Sequence, residues 1–196
     1  NECIFYDKIA PKLHEIINVP KCYGVFTEDT TYAVLLENLY HGREGCFNVD
    51  LNNNINMLLS VVNEISKMHI RFYYEDERML DINDVKKMKE FYHYNSLITE
   101  KYEFFMQKNN KFISSRIRNY MNIISKNFGK VLDELSTYPL TLCHGDVKSA
   151  NIFYKELEDG NYEPYFIDWQ YICEGKGVQD LVFFMIESFE IKTIKN

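Results

Sequence analysis

Asp146, Asn151 and Asp168 are the residues of this chain whose types and spacing can do chemistry. They stand in Leu142-Cys143-His144-Gly145-Asp146-Val147-Lys148-Ser149-Ala150-Asn151-Ile152-Phe153-Tyr154, followed by Tyr165-Phe166-Ile167-Asp168-Trp169-Gln170. Phosphoryl transfer asks little of a protein: a carboxylate to hold an acceptor hydroxyl and take its proton, and oxygen ligands for Mg²⁺ on nucleotide phosphates. Asp146 and Asn151 are five apart, so a loop leaving one short strand and entering another turns both side chains into one cleft. An amide oxygen suits a hard cation without placing a second charge beside the base, and an ionised Asp168 supplies the stronger ligand.

His144-Gly145-Asp146, four residues, Asn151 and a downstream Ile167-Asp168-Trp169 resemble the aminoglycoside phosphotransferase and choline kinase superfamily. The Asp168-Trp169-Gln170 ending is most similar to its ecdysteroid-kinase-like branch. The resemblance implies an α+β, protein-kinase-like fold with Asp146 as catalytic base and with Asn151 and Asp168 holding Mg²⁺. The reaction it implies moves the γ-phosphoryl of ATP to a hydroxyl of a small molecule. Protein kinases use a related His-Arg-Asp loop and Asp-Phe-Gly element; here Gly145 stands in place of the Arg and Trp169-Gln170 in place of Phe-Gly, which disfavours a protein kinase.

The same resemblance assigns supporting residues. Glu37, Asn38 and Leu39, at the end of the run Tyr32 to Leu39, match the hinge whose backbone meets the adenine edge; packing of an edge strand explains them equally. Glu2 matches the acid that pairs with a phosphate-binding lysine, a lysine this sequence does not contain upstream. An acid in a first helical turn is also favoured by the helix dipole. Lys148 reads equally as a phosphate contact and as a solvated loop lysine. His144 is read as a scaffold residue rather than a base. Asp180 matches an acid that braces the catalytic loop through its backbone, and reads equally as an N-cap.

Those residues need elements to hold them. Residues 1–11 read as a helix. Val19 to Gly24 and Tyr32 to Leu39 read as strands of a hairpin around a turn at Thr27-Glu28-Asp29-Thr30. From Asn54, Met57, Leu58, Val61, Val62, Ile65, Met68 and His69 recur on one helical face, with Asp50, Asn52 or Asn53 as cap and His69 in the core. Two further helices are expected, from about Asp84 to Met106 and from about Phe112 to Leu135. The second buries Ile113, Ile117, Tyr120, Ile124, Val131, Leu132 and Leu135, and the aromatic stripe of the first is read as core. Tyr138-Pro139 ends that helix. Ile152 to Tyr154 and Tyr165 to Ile167 then form a catalytic hairpin about Glu158-Asp159-Gly160-Asn161, and Asp180 opens an apolar helix.

Two regions are expected: residues 1–40, a remnant of an N-terminal lobe (helix plus short antiparallel strands) with the hinge, and residues 41–196, a mainly helical catalytic lobe. Family members begin with strands carrying a glycine-rich phosphate loop and a lysine. Gly42-Arg43-Glu44-Gly45 follows the hinge and is misplaced to serve, so the chain reads as truncated at both ends. This leaves a second reading, a pseudo-kinase or nucleotide-binding module without the phosphate clamp.

Composition narrows the rest. With 196 residues, 46% of them hydrophobic, the chain can bury a sizeable core. No apolar stretch nears the roughly 20 residues that span a bilayer. Cysteines at 3, 22, 46, 143 and 173 show no metal-ligand spacing and read as free thiols of a reducing cytosol. A net charge of −7 and the lack of a basic, aromatic-interleaved stripe argue against nucleic acid. The expected partners are ATP and a small hydroxyl acceptor, with no membrane, for a cytoplasmic monomer.

Overall fold

The computed structural model describes residues 2–29, 31–40, 54–75, 85–90 and 92–189, the side chains of 92–95 excepted. Its first helix, α1 (residues 2–13), is α-helical over Glu2–Ile4, π-helical over Phe5–Ile9 and α-helical again over Ala10–Leu13. Phe5, Ile9 and Leu13 are fully buried on it. The strands β1 (Cys22–Glu28) and β2 (Thr31–Leu36) pair antiparallel from Cys22↔Leu36 to Glu28↔Thr31. The hairpin expected from the sequence is present, with its strands shifted: Thr27 and Glu28 are ladder residues and the reversal falls at Asp29, at φ 50°. Val19–Lys21 precede the strand, where Asn18 instead bridges to Tyr165.

Helix α2 (Ile55–Arg71) buries Met57, Val61, Ile65 and Met68, the three-and-four spacing read from the sequence. Its cap is Asn54, whose Oδ1 accepts from Met57 N–H at 3.2 Å, not one of the three residues expected; Asp50, Asn52 and Asn53 lie outside the described residues, as do Gly42-Arg43-Glu44-Gly45. The next helix starts later than expected. Lys87 makes a parallel bridge to Glu174, a 3₁₀ turn follows at Met88–Glu90, and α3 occupies Tyr92–Asn109.

Helix α4 (Ser115–Leu135) is capped by Ser114, whose Oγ accepts from Ile117 N–H, and is kinked at Asn127, where φ −125° and ψ 17° leave the helical region. Only its second half packs as the sequence suggested. Leu132 is buried, but Ile117, Tyr120 and Ile124 are exposed, as are Leu97, Phe104 and Phe105 of α3. Periodicity records that a face is apolar; α3 lies against the first half of α4 on the side of Ser115, Arg118, Asn119 and Asn122, which leaves the Ile117, Tyr120 and Ile124 face in solvent.

Two short antiparallel pairings frame the loops. Strand β3 (Thr141–Cys143) pairs with β6 (Cys173–Gly175), and β4 (Ile152–Glu156) pairs with β5 (Tyr162–Phe166) across the turn at Leu157–Asn161, closed by Gly160 at φ 78°. Helix α5 spans Val178–Ser188. The main core joins α1, α2, the β4–β5 hairpin and Phe184 of α5 around Trp169, which is fully buried. Its indole stacks on Phe5 at 4.0 Å with planes 5° apart, lies 4.2 Å from the His144 ring, and donates Nε1–H to Phe166 O at 3.1 Å. Trp169 thus ties the first helix to both functional loops.

Candidate active site

Residues 144–151 are an irregular loop between β3 and β4, and its shape follows from a few polar anchors. Asp180, 1% exposed, accepts His144 N–H through Oδ2 and Gly145 N–H through Oδ1, both at 2.9 Å. Oδ2 also lies 3.0 Å from His69 Nε2. A buried carboxylate is tolerated when hydrogen bonds satisfy it, and here two backbone donors and one imidazole do so. Asp180 is the third residue of α5; the N-cap position is Gly177, so the capping alternative does not describe this structure.

His69, expected in the core, is a part-buried partner of Asp180. Spacing alone placed it on the apolar face of α2; only the contact with a residue 111 positions away gives it a polar role. The close approach of Gly177 is part of this, since a Cβ there would lie 2.7 Å from His69 Nδ1.

Gly145 has φ 84°, and a Cβ at that position would meet the Tyr171 carbonyl oxygen at 2.2 Å. No other residue fits that backbone and that space together. The Arg that protein kinases place here is excluded by geometry.

His144 is fully buried with both ring nitrogens engaged. Nδ1 accepts Asp146 N–H at 3.2 Å, so the proton sits on Nε2, which donates to Ile167 O at 3.0 Å. Burial lowers its pKa below the usual histidine value, against the attraction of Asp180 and its other neighbours. The neutral ring therefore links the Asp146 loop to the Asp168 loop. Ile167 N–H closes the link from the other side by donating to Asn151 O at 3.0 Å.

Asp146 is 5% exposed. Its Oδ2 accepts from Lys148 Nζ at 2.8 Å and from Asn151 Nδ2 at 3.0 Å, and Asn151 Nδ2 also reaches Asp146 O at 3.0 Å. The hydrogen bond it donates to Asp146 is the main reason the Lys148 ammonium is held above its ordinary pKa. With Nδ2 committed, the amide oxygen of Asn151 is the end that could hold a cation. Asp168 is held at φ 63° and ψ 62°, a left-handed conformation that costs a non-glycine residue about 1–3 kcal/mol and clusters at functional positions.

Two cavities with separate linings open on this assembly. One, of about 540 Å³, is lined by Gly145, Asp146, Lys148, Tyr171, Phe183, Cys143 and Cys173 among others. The other, of about 430 Å³, is lined by Glu2, Glu37, Asn38, Leu39, Phe153 and Asp168 among others. The structure thus brings Asp146, Asn151, Lys148, His144 and Asp180 around one loop and sets Glu2 with residues 37–39 beside Asp168. The Glu2 carboxyl is pushed up by burial and by the negative charge of Asp168, against a hydrogen bond from Trp169. Leu39 is buried on Phe153, and Glu37 N–H continues the hairpin ladder to Lys21 O at 2.8 Å.

A partial hairpin lobe, a helical lobe and a loop-hairpin-Asp unit define the kinase-like fold of small-molecule phosphotransferases. Solved structures agree. The GDP and kanamycin complex of APH(2")-IIia matches with a TM-score of 0.60 at 13% identity, over 99% of this chain and 64% of that one. Aminoglycoside phosphotransferase APH(3'')-Id from Streptomyces rimosus matches at 0.57 and 12%, over 92% and 63%. A choline/ethanolamine kinase family protein from Mesorhizobium loti matches at 0.53 and 15%, over 98% and 57%. The chain therefore spans less than two thirds of each. No curated protein matches the sequence. The family model for the ecdysteroid kinase-like family matches residues 1–195, and the chain belongs to that family.

Proposed function

We propose that this chain carries the catalytic centre of an ATP-dependent phosphotransferase that moves the γ-phosphoryl group to a hydroxyl of a small molecule. The observation that carries the reading is the division of the two aspartates. Asp146 lines one cavity and Asp168 the other, and one neutral histidine and one residue's backbone join their loops. Nucleotide on one side and acceptor on the other would meet at that junction, the positioning on which this chemistry depends.

In this reading Glu37, Asn38 and Leu39 form the hinge that receives the base, and residues 1–40 supply the nucleotide side while 41–196 supply the catalytic lobe. Asp146 holds the acceptor hydroxyl through Oδ1 and takes its proton, because Oδ2 is already shared by Lys148 and Asn151. Lys148 offers a positive charge beside the transferred group. His144 and Asp180 position the loop and take no part in proton transfer. The oxygen donors fit Mg²⁺: the amide oxygen of Asn151 and the carboxylate of Asp168 would hold it, and the ion would neutralise charge on the phosphates. Glu2 and Asp168 both line the nucleotide-side cavity, where burial and the charge of Asp168 push the Glu2 carboxyl up. Glu2 is the residue to pair with a phosphate-binding lysine.

The test is a thermal shift followed by turnover. Mg²⁺ with ATP raises the melting temperature of the protein, Asp168→Ala removes the shift, and Asp146→Asn keeps it while losing transfer to any acceptor found with labelled ATP. A protein that binds nucleotide but transfers to no acceptor in a broad panel is the binding module instead. No shift at all sinks both readings.

A further inference from the structure

We propose that Cys143 and Cys173 form a reversible dithiol–disulfide couple in the wall of the Asp146-side cavity, oxidised by low-molecular-weight disulfides. The two are direct Cα partners in the β3–β6 pairing. Glu174 N–H turns away from β3 and donates to Lys86 O at 2.9 Å. By the alternation of antiparallel ladders, Cys143 and Cys173 then occupy a hydrogen-bonded pair site. Cα atoms in such a pair lie about 5.5 Å apart, inside the range of about 4.4–6.8 Å that a disulfide spans.

The side chains are on the right face as well. Leu142 points into the core, so its neighbour Cys143 points to the other side, where its Sγ lies 4.0 Å from Thr141 O. Cys173 Sγ also touches Met88 Sδ at 3.4 Å. Both cysteines are nearly enclosed by protein, and both line the cavity that holds Asp146, which is the route a small reagent would take. Cys3 and Cys22 have no such arrangement: they stand on α1 and β1, and neither lines that cavity.

The chemistry balances as thiol–disulfide exchange. The neighbouring Cys173, then burial, raises the Cys143 thiol well above its usual range, and we assign the first attack to Cys173. Cys173 gives up its proton and attacks one sulfur of the reagent, whose S–S bond breaks to release one thiolate. Cys143 then loses its proton and attacks the Cys173 sulfur, forming the intramolecular bond and expelling the second thiolate. Two protein thiols are oxidised and one small disulfide is reduced to two thiols.

Cys143 immediately precedes His144-Gly145-Asp146, and Cys173 ends the segment that carries Tyr171 over Gly145. The bond would fix both edges of the acceptor-side cavity. The described linings of the two cavities share no residue, so nucleotide binding is spared. This functional consequence rests on the phosphotransferase reading; the bond itself does not.

The folded protein is incubated with 2-hydroxyethyl disulfide, quenched with a maleimide, unfolded and mapped by peptide mass. A cross-linked pair joining Cys143 to Cys173, lost on treatment with dithiothreitol, is the expected product. Cys143→Ala should stop at a mixed disulfide on Cys173. Recovery of both cysteines as free thiols, or cross-links only after unfolding, overturns the proposal whatever nucleotide does. The oxidised protein should keep its Mg²⁺–ATP thermal shift. Loss of that shift on oxidation refutes the separation of the two cavities, whereas a missing shift in the reduced protein refutes the phosphotransferase reading alone.

Discussion

Gly145→Ala isolates the contact that shapes the catalytic loop. The substitution adds one methyl group at φ 84°, with its carbon 2.2 Å from Tyr171 O and 2.9 Å from Tyr171 C. Two costs add. A left-handed backbone costs a residue with a Cβ about 1–2 kcal/mol, and forcing a methyl into backbone it cannot displace costs roughly 1–3 kcal/mol more. Gly160→Ala is the matched control: φ is 78° and no atom lies within 4 Å of the added Cβ. It carries the first cost without the second. Alanine also restricts the unfolded chain in both variants, and that gain cancels in the comparison. Urea unfolding followed by the fluorescence of Trp169, the single tryptophan, reads both. Gly145→Ala should be less stable than Gly160→Ala by about 1–3 kcal/mol. Its acceptor turnover should also fall further than its nucleotide binding, because relief of the clash must move Tyr171 in the acceptor-side wall. Equal stabilities of the two variants would falsify the claim that the Tyr171 carbonyl confines this loop.

Other outcomes follow from the same geometry. Asp180→Asn preserves volume but offers one acceptor atom where two oxygens now serve His144 N–H and Gly145 N–H, so one buried donor loses its partner. The expected loss is about 2 kcal/mol, seen as a lower urea midpoint with an unchanged slope; an unshifted midpoint would show that Asp180 does not hold the loop. The lowered pKa of His144 gives stability a pH dependence. Its folded pKa lies below the unfolded value, so the unfolded chain binds more protons between the two, and the stabilisation is complete above about pH 6.5 and lost as pH falls. Unfolding free energy should therefore drop from about pH 7.5 to about pH 5.5 more steeply in the wild type than in His144→Asn. Glu2 and Glu174, whose carboxyls burial pushes up, act in the opposite sense at lower pH and cancel in that comparison. Identical slopes would place the His144 proton elsewhere.

The sequence by itself determined the parts that local chemistry dictates. The Asp146, Asn151 and Asp168 constellation could be proposed from the sequence because residue type and spacing on one loop and one strand end are local, and the structure brings the side chains of the first two together. The α2 face was legible because four buried positions recur at helical period. Strand and helix ends were less so. Asn54 rather than its neighbours caps α2, and Thr27 and Glu28 belong to β1, because a cap or a turn is decided among adjacent residues of similar propensity.

Tertiary structure alone decided which apolar faces are covered. The stripes of α3 and the first half of α4 satisfy the pattern of a buried face and stand in solvent, since periodicity says nothing about what lies opposite. Only the fold could bring His69 to Asp180 across 111 positions, pair Cys143 of β3 with Cys173 of β6, and lay the Tyr171 carbonyl over Gly145. Each is a contact between distant segments whose residues, taken singly, read as core, scattered cysteine or loop. The chemistry proposed for the site rests on three side chains, and its geometry comes from long-range hydrogen bonds and packing that no local pattern encodes.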